Sequence, residues 1–313
     1  MTIHTALHST QNPGGLFAIE DMSLTTGSRF YVHATTGTDA AGYGTSPDSP
    51  VASLDYAIGL CTASKGDIIY LMPGHAETTT AIALDLIGVK VVGLGWGRNR
   101  PTLTATTGAS NLIDVSVASV VLQNVRLVGA ASGCTALLNL TAAGNDFLAL
   151  NCSFEHGAAP LVAVTIAVNG TSAGAARWEI RGCTFLGTAN GPDHAIELLS
   201  HCKDWIVSDC RFLYGAFGLD EAVIESAVDA QEGYMIEKVV VVGIDTLLVL
   251  IASSTAAPPD GFFANGDVMV SAPVSSTEII VAAATSKGMA FGRVFAIDDT
   301  GKSGVRIPLV TAS

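Results

Sequence analysis

The residues whose types and spacing could do chemistry are mostly acidic. Asp193, His194 and Glu197 lie close together, and Glu221 and Glu225 follow, Glu225 standing 28 residues after Glu197. Carboxylates brought level with one another repel, so they bind a cation, share a proton or turn to water. The plainest reading is a solvated acidic stripe. Arg126, Arg177, Arg181 and Arg211 alternate with apolar positions and are expected to face outward, as surface or interface residues. The six cysteines include no C-x-x-C pair and read as small buried hydrophobes rather than as a disulfide framework or metal site. Cys61 suits a buried helix face, whereas Cys134 and Cys202 lie near turns and find no place in the pattern.

The elements that position these residues recur. With Cys152, Cys183 and Cys210 in one column, Phe147, Trp178 and Trp205 stand five before, and Phe154, Phe185 and Phe212 two after. Val125 and Val239 fit the same column, with steps of 27, 31, 27 and 29 residues from 125 to 152, 183, 210 and 239. A second series of apolar runs, Asn111–Val117, Ala136–Leu140, Leu161–Val168, Ala195–Leu199 and Ala222–Ile224, keeps phase with the first. Each unit therefore holds at least two strands, cannot bury its apolar face alone, and is completed by stacking on its neighbours. Coils about 4.8 Å apart turn each column into a ladder: of phenylalanines, of thiols and of indoles. Upstream, Val92 is taken as level with Val125, 33 residues on, in a further coil spanning Ile82–Leu94, and Arg98–Pro101 is read as a loop.

Composition bounds the rest. The 313 residues are 49% hydrophobic and 14% charged, with a net charge of −13 and a pI near 4.7. Fifteen basic residues without a cluster argue against a nucleic-acid partner. No apolar run reaches membrane-spanning length. Met1–Gln11 lacks the basic start and apolar run of a signal peptide, so synthesis in the cytoplasm is expected.

Residues 1–28 show no periodicity and read as an N-terminal arm. Residues 29–243 hold a strand at Phe30–Val32, a turn-rich segment, a helix over Leu54–Ala63 capped by Ser53, a strand at Ile68–Met72, and then the coils. Residues 244–313 depart from the repeat. They contain five expected strands, a hairpin turn at Asp298–Gly301, and form a small C-terminal β module or the far-end cap. The fold class is all-β: a right-handed parallel β-helix with a short N-terminal capping helix.

Phe30-Tyr31-Val32, Gly37-Thr38-Asp39, Tyr43-Gly44, Pro47-Asp48-Ser49-Pro50, Leu54-Asp55-Tyr56-Ala57-Ile58 and Gly66-Asp67 through Gly74-His75 resemble the capping module of pectin-lyase-like right-handed β-helix proteins, in a version similar to ones from tailed-bacteriophage genomes. Such folds carry enzymes, adhesins and inert virion parts. Lyases among them use a carboxylate-bound calcium and a basic residue; hydrolases use paired carboxylates. Neither set stands here at coherent spacing, so the resemblance implies no catalytic residue, no metal, no cofactor and no enzymatic activity. It implies a structural virion protein on the capsid surface, a decoration (cement) protein acting as a homotrimer and partnered by itself and the major capsid protein. The alternative is a tail spike or fibre that binds or depolymerises a host polysaccharide. Candidate attachment residues are Leu7, Leu16, Phe17 and Ile19 in the arm, and Phe291, Val294, Phe295 and Ile297 in the C-terminal module.

Overall fold

A computed structural model describes residues 25–106, 111–129, 134–156, 162–166, 175–187, 194–214, 222–226 and 233–242, and the short strands Ala252–Ser253, Val268–Ser271, Val294–Ile297 and Ser303–Val305. Among the described residues the strands form three sheets, of eight, seven and ten strands. Sheet 1 stacks Arg29–Val32, Ile68–Leu71, Lys90–Gly93, Val121–Gln123, Leu148–Leu150, Glu179–Arg181, Ile206–Ser208 and Met235–Glu237. Sheet 2 runs from Ile82–Leu84 through Asn111–Val115, Ala136–Leu140 and Val162–Ile166 to His194–Leu198, Ala222–Ser226 and Ala252–Ser253. Sheet 3 begins at Ala76–Thr79 and Thr102–Ala105, passes Arg126–Gly129, Ser153–His156, Thr184–Gly187 and Arg211–Leu213, and continues through Val240–Val242, Val268–Ser271 and Val294–Ile297. Neighbours within each sheet are parallel, except that Ser303–Val305 closes an antiparallel hairpin on Val294–Ile297. This is the expected parallel β-solenoid.

The ladders are its core. Phe154, Phe185 and Phe212 are level with one another, with ring centroids 4.8 and 4.5 Å apart. Trp178 and Trp205 stack at 4.9 Å with planes 5° apart, and Tyr234 extends that stack at 4.8 Å. Cys152, Cys183 and Cys210 are buried and form no disulfide, as is also the case for Cys134 and Cys202. Cys61 is half-buried.

Corners are made by two columns of left-handed backbone. Asn124, Asn151, Gly182, Asp209 and Lys238 have φ of 54°, 53°, 62°, 54° and 50°, and Ser119, Asp146, Arg177, Asp204 and Gly233 repeat the turn on the other side of sheet 1. Non-glycine residues adopt this region at a cost that only a sharp, repeated corner justifies.

Helix α1 spans Leu54–Leu60, shorter than expected. Ser53 caps it, its hydroxyl accepting from the Tyr56 amide, and Asp39 in turn accepts from the amides of Ala52 and Ser53. Leu54, Ala57 and Ile58 face the core. The helix stops because the buried Asp67 carboxylate draws the Thr62 amide to it at 2.6 Å, while its other oxygen holds the Ser28 amide at 2.6 Å.

The register of the first full coil differs from expectation. Val91 is level with Leu122, 31 residues on, so the residue level with Val92 is Gln123 and not Val125. One corner later Leu103 is level with Leu127, only 24 residues on. The seven extra residues (31 less 24) sit at the corner between sheets 1 and 3, and they carry Trp96, Arg98 and Arg100.

Candidate functional site

The corner insertion is held as a rigid projection. Asn124 donates from its side chain to the carbonyls of Gly93 at 2.8 Å and Gly95 at 3.1 Å. The Gly74 amide donates to the Asn99 carbonyl at 2.8 Å. Gly95 has φ +103°, and a Cβ there would press on the Asn99 carbonyl, so the turn requires glycine. A single 3-10 turn, Gly97–Asn99, follows.

Trp96 leaves this turn with 85% of its surface exposed. Large apolar side chains are seldom displayed so fully. Beside it lies a groove of about 300 Å³ lined by Trp96, Gly97, Arg100, Arg126, Ser153 and Glu155. Its floor is the outer face of sheet 3. Arg126 is level with Ser153, and Ser153 with Thr184, so Glu155, two residues on in the same strand, is the diagonal neighbour of Arg126. That diagonal is closed by a two-pronged ion pair: Arg126 Nε donates to Glu155 Oε1 at 2.7 Å, and Nη2 donates to Oε2. The Glu155 side chain is 12% exposed, against 45% for Arg126. The hydrogen bond to Glu155 raises the Arg126 pKa above its usual value, so this guanidinium is a fixed cation and not a proton acceptor. Arg100 donates from Nη2 to the Asn151 carbonyl, and its buried Nε has no hydrogen-bond partner among the described residues. Two guanidiniums face one carboxylate here, a locally positive site on a chain whose net charge is −13. An aromatic platform beside fixed guanidiniums can hold a ring-bearing anion: the ring packs on the indole, and an acidic group takes paired N–H donors.

The acidic residues singled out by spacing are placed differently. Glu197 and Glu225 are level in adjacent strands of sheet 2, as their separation implies. Their column continues through Thr165 and Asn139 to Asp114, whose carboxylate accepts from Asn139 at 2.6 Å and Asn111 at 2.8 Å. His194 is buried and alternates in step with the core residues Ile196 and Leu198, away from the face that carries Glu197. Asp193 and Glu221 lie outside the described residues, as do Leu7, Leu16, Phe17, Ile19 and Phe291. Val294, Phe295 and Ile297 are described as backbone only, in a strand parallel to Val268–Ser271. Among the described residues, no group of three or more metal-ligating side chains comes together.

Among the described residues, three of the four outward arginines meet a carboxylate. Arg177 pairs with Asp146 at 2.6 Å and Arg181 with Glu179 at 2.7 Å. The Arg177 contact lowers the Asp146 pKa. Arg211 continues the column of Arg126, two strands along sheet 3 beyond Ser153.

The sequence reading missed Trp96 and Arg100 because it slid the first coil by two residues and so hid the insertion. The signal was present: a tryptophan next to two arginines in a glycine-bounded loop.

No family model matches the chain, and no curated protein matches its sequence. Solved structures do share its fold. One described as "Rhamnogalacturonan lyase" is 11% identical, with a TM-score of 0.54 over 90% of this chain and 90% of that one. The "pectate lyase Pel9A" structure is 14% identical, with a TM-score of 0.64 over 88% of this chain and 78% of that one. The expectation that the chain is not an enzyme is corrected by this finding, because structures that share its fold are lyases. For the chain itself, the likeness shows a pectin-lyase-like right-handed parallel β-helix fold.

Proposed function

We propose that this chain is a polysaccharide-acting β-helix that takes an acidic glycan into the groove between Trp96 and the outer face of sheet 3. The observation that carries the reading is the 85% exposed Trp96 beside Arg100 and the Arg126–Glu155 pair. Trp96 serves as a platform for the apolar face of a sugar ring. Arg126, aimed by Glu155, and Arg100 receive a uronate carboxylate. Neutralising that carboxylate makes the neighbouring C–H more acidic, so that a solvent base takes the proton, its electrons form the C=C bond and the glycosidic C–O bond breaks with the leaving chain. Glu155 is the one carboxylate among the described lining residues, whereas hydrolysis by the two-carboxylate route needs a second. The fold shared with two lyases supports the same class. On a tailed-phage virion, as the resemblance of the capping module suggests, this is the role of a tail spike or fibre.

The test is incubation with acidic bacterial polysaccharides, following unsaturated-uronate absorbance and glycan binding, for the natural chain and for Trp96→Ala. Binding and turnover that Trp96→Ala abolishes support the reading. Neither binding nor turnover across a panel of uronate-containing glycans sinks it.

A second reading, a capsid decoration protein, is favoured by one feature of the fold. The outer face of sheet 1 displays half-buried aliphatic and aromatic side chains, among them Tyr31, Tyr70, Val121, Leu148 and Leu150. Such a face suits protein contacts. Copy number per particle separates the two: many copies indicate the shell, a few indicate the tail.

A further inference from the structure

We propose that the acidic glycan does not end at the Trp96 groove but runs on across the strands of sheet 3 to Arg211, which takes a second acidic group. This rests on the reading of the groove as an acidic-glycan site, and adds that the ligand is a chain in which acidic sugars recur. Arg126 is level with Ser153, Ser153 with Thr184 and Thr184 with Arg211, so the two arginines stand three strands apart in one outward column. Three spacings set them about 14 Å apart along the solenoid.

Arg211 is exposed and meets no carboxylate among the described residues. Its level neighbours are Thr184 and Val240, and its diagonal ones are Leu186 and Val242, all uncharged. Arg126 has Glu155 on the corresponding diagonal. Asp209, the acidic residue closest to Arg211 in sequence, lies at the corner, 3.9 Å from Lys238. With 28 acidic residues to 15 basic ones, carboxylates are in excess over the chain, yet none is placed to meet this guanidinium. An anion brought by a ligand supplies what the neighbouring positions withhold.

Between the two arginines the column drops to short hydroxyl side chains. Ser153 is buried and Thr184 half-buried, whereas Arg126 and Arg211 are exposed. The next outward column carries Leu186 and Leu213, both half-buried. The result is a trough with cations at its ends, hydroxyls on its floor and aliphatic side chains along its flank. Sugars carry the matching groups: hydroxyls that donate and accept, and C–H faces that pack on apolar surface. A ligand laid along the strand instead would pass from Arg126 to Val128 and leave the sheet. The path across the strands joins the two cations.

Titration calorimetry on the full chain with size-graded oligouronates, from a single uronate upward, tests this. Affinity is expected to rise with length until the oligomer spans both arginines, then to level off. Arg211→Gln weakens the long oligomers by about tenfold, from one lost charged hydrogen bond, and leaves the shortest unchanged. Trp96→Ala weakens every length. Lys90→Gln, on the outer face of sheet 1, also removes one positive charge and changes nothing. Arg211 and Lys90 point outward, so both variants keep the fold, which melting curves verify. Three outcomes overturn the proposal while leaving the Trp96 groove standing: long oligomers that bind no tighter than short ones, an Arg211→Gln chain that binds them as the natural one does, or equal losses from Arg211→Gln and Lys90→Gln. Binding at no length sinks the reading of the groove, and this inference with it.

Discussion

Arg126 and Glu155, 29 residues apart in sequence, meet on one diagonal of sheet 3, with Nε and Oε1 at 2.7 Å. The Arg126 side chain is 45% exposed, and pairs of this kind add about 0–1 kcal/mol to stability. The pair's value lies in aiming a guanidinium into the groove. Arg126→Ala and Trp96→Ala are each expected to weaken binding of an acidic glycan by about tenfold or more, from the worth of a charged hydrogen bond or a lost aromatic contact. Their melting temperatures should stay close to that of the natural chain. Titration calorimetry alongside thermal melts checks both halves. A large loss of stability with unchanged affinity would show the pair to be structural.

Phe185 lies between Phe154 and Phe212, with planes 9° and 14° from its own. Its neighbours are fixed in the same stack and cannot close over a gap. Phe185→Ala should cost about 3–5 kcal/mol. Denaturant unfolding measures this, and an unchanged midpoint would be incompatible with a stacked ring.

Gly182 occupies a left-handed corner at φ +62°, and an added Cβ would meet the Asn151 side chain in the coil below. Gly182→Ala should therefore destabilise by about 1–2 kcal/mol from backbone conformation, before the contact with Asn151 is counted. The reverse change at the neighbouring corner, Asn151→Gly, should be far milder. Equal effects of the two in parallel melts would rule out the corner argument.

The columns of aromatic and thiol side chains were legible in the sequence because the core rewards like residues at like heights. The aromatic residues five before and two after Cys152, Cys183 and Cys210 sufficed to set those coils. The corners were not legible as backbone. Asn124, Gly182, Asp209 and Lys238 share a conformation but no side-chain type, so no pattern of hydrophobicity reports them. The groove beside Trp96 was lost for a related reason. Leu94 and Val92 are both apolar, so either could be set level with Val125, and only pairing in the flanking sheets reveals the extra residues that lift Trp96 outward. The end of helix α1 was set by Asp67, a carboxylate whose burial leaves no periodic trace.

Alkaline pH should expose the buried thiols. Burial pushes the Cys202 thiol from 9.0 up to about 12, and burial with help from Asp67 does the same for Cys61. Between those values the folded chain keeps protons that the unfolded chain releases, so the unfolded state binds fewer and stability falls as pH rises from 9.0 towards 12. The melting temperature should be level around neutrality and decline through that window. Cys202→Ala should flatten the decline while lowering the whole curve. A melting temperature indifferent to alkali would contradict the burial of these groups.

Each parallel strand finds its partner one coil away, as Cys183 stands 31 residues after Cys152 and 27 before Cys210 at the same point of successive coils. The loop that must close to add a coil is thus of nearly constant length, and the entropy of closing it grows only slowly with loop length in any case. Each new coil faces the same closure cost as the last, against a surface already in place. Assembly can proceed as a zipper from the α1 end, with each coil docking as soon as its residues leave the ribosome and without waiting for any distant part of the chain.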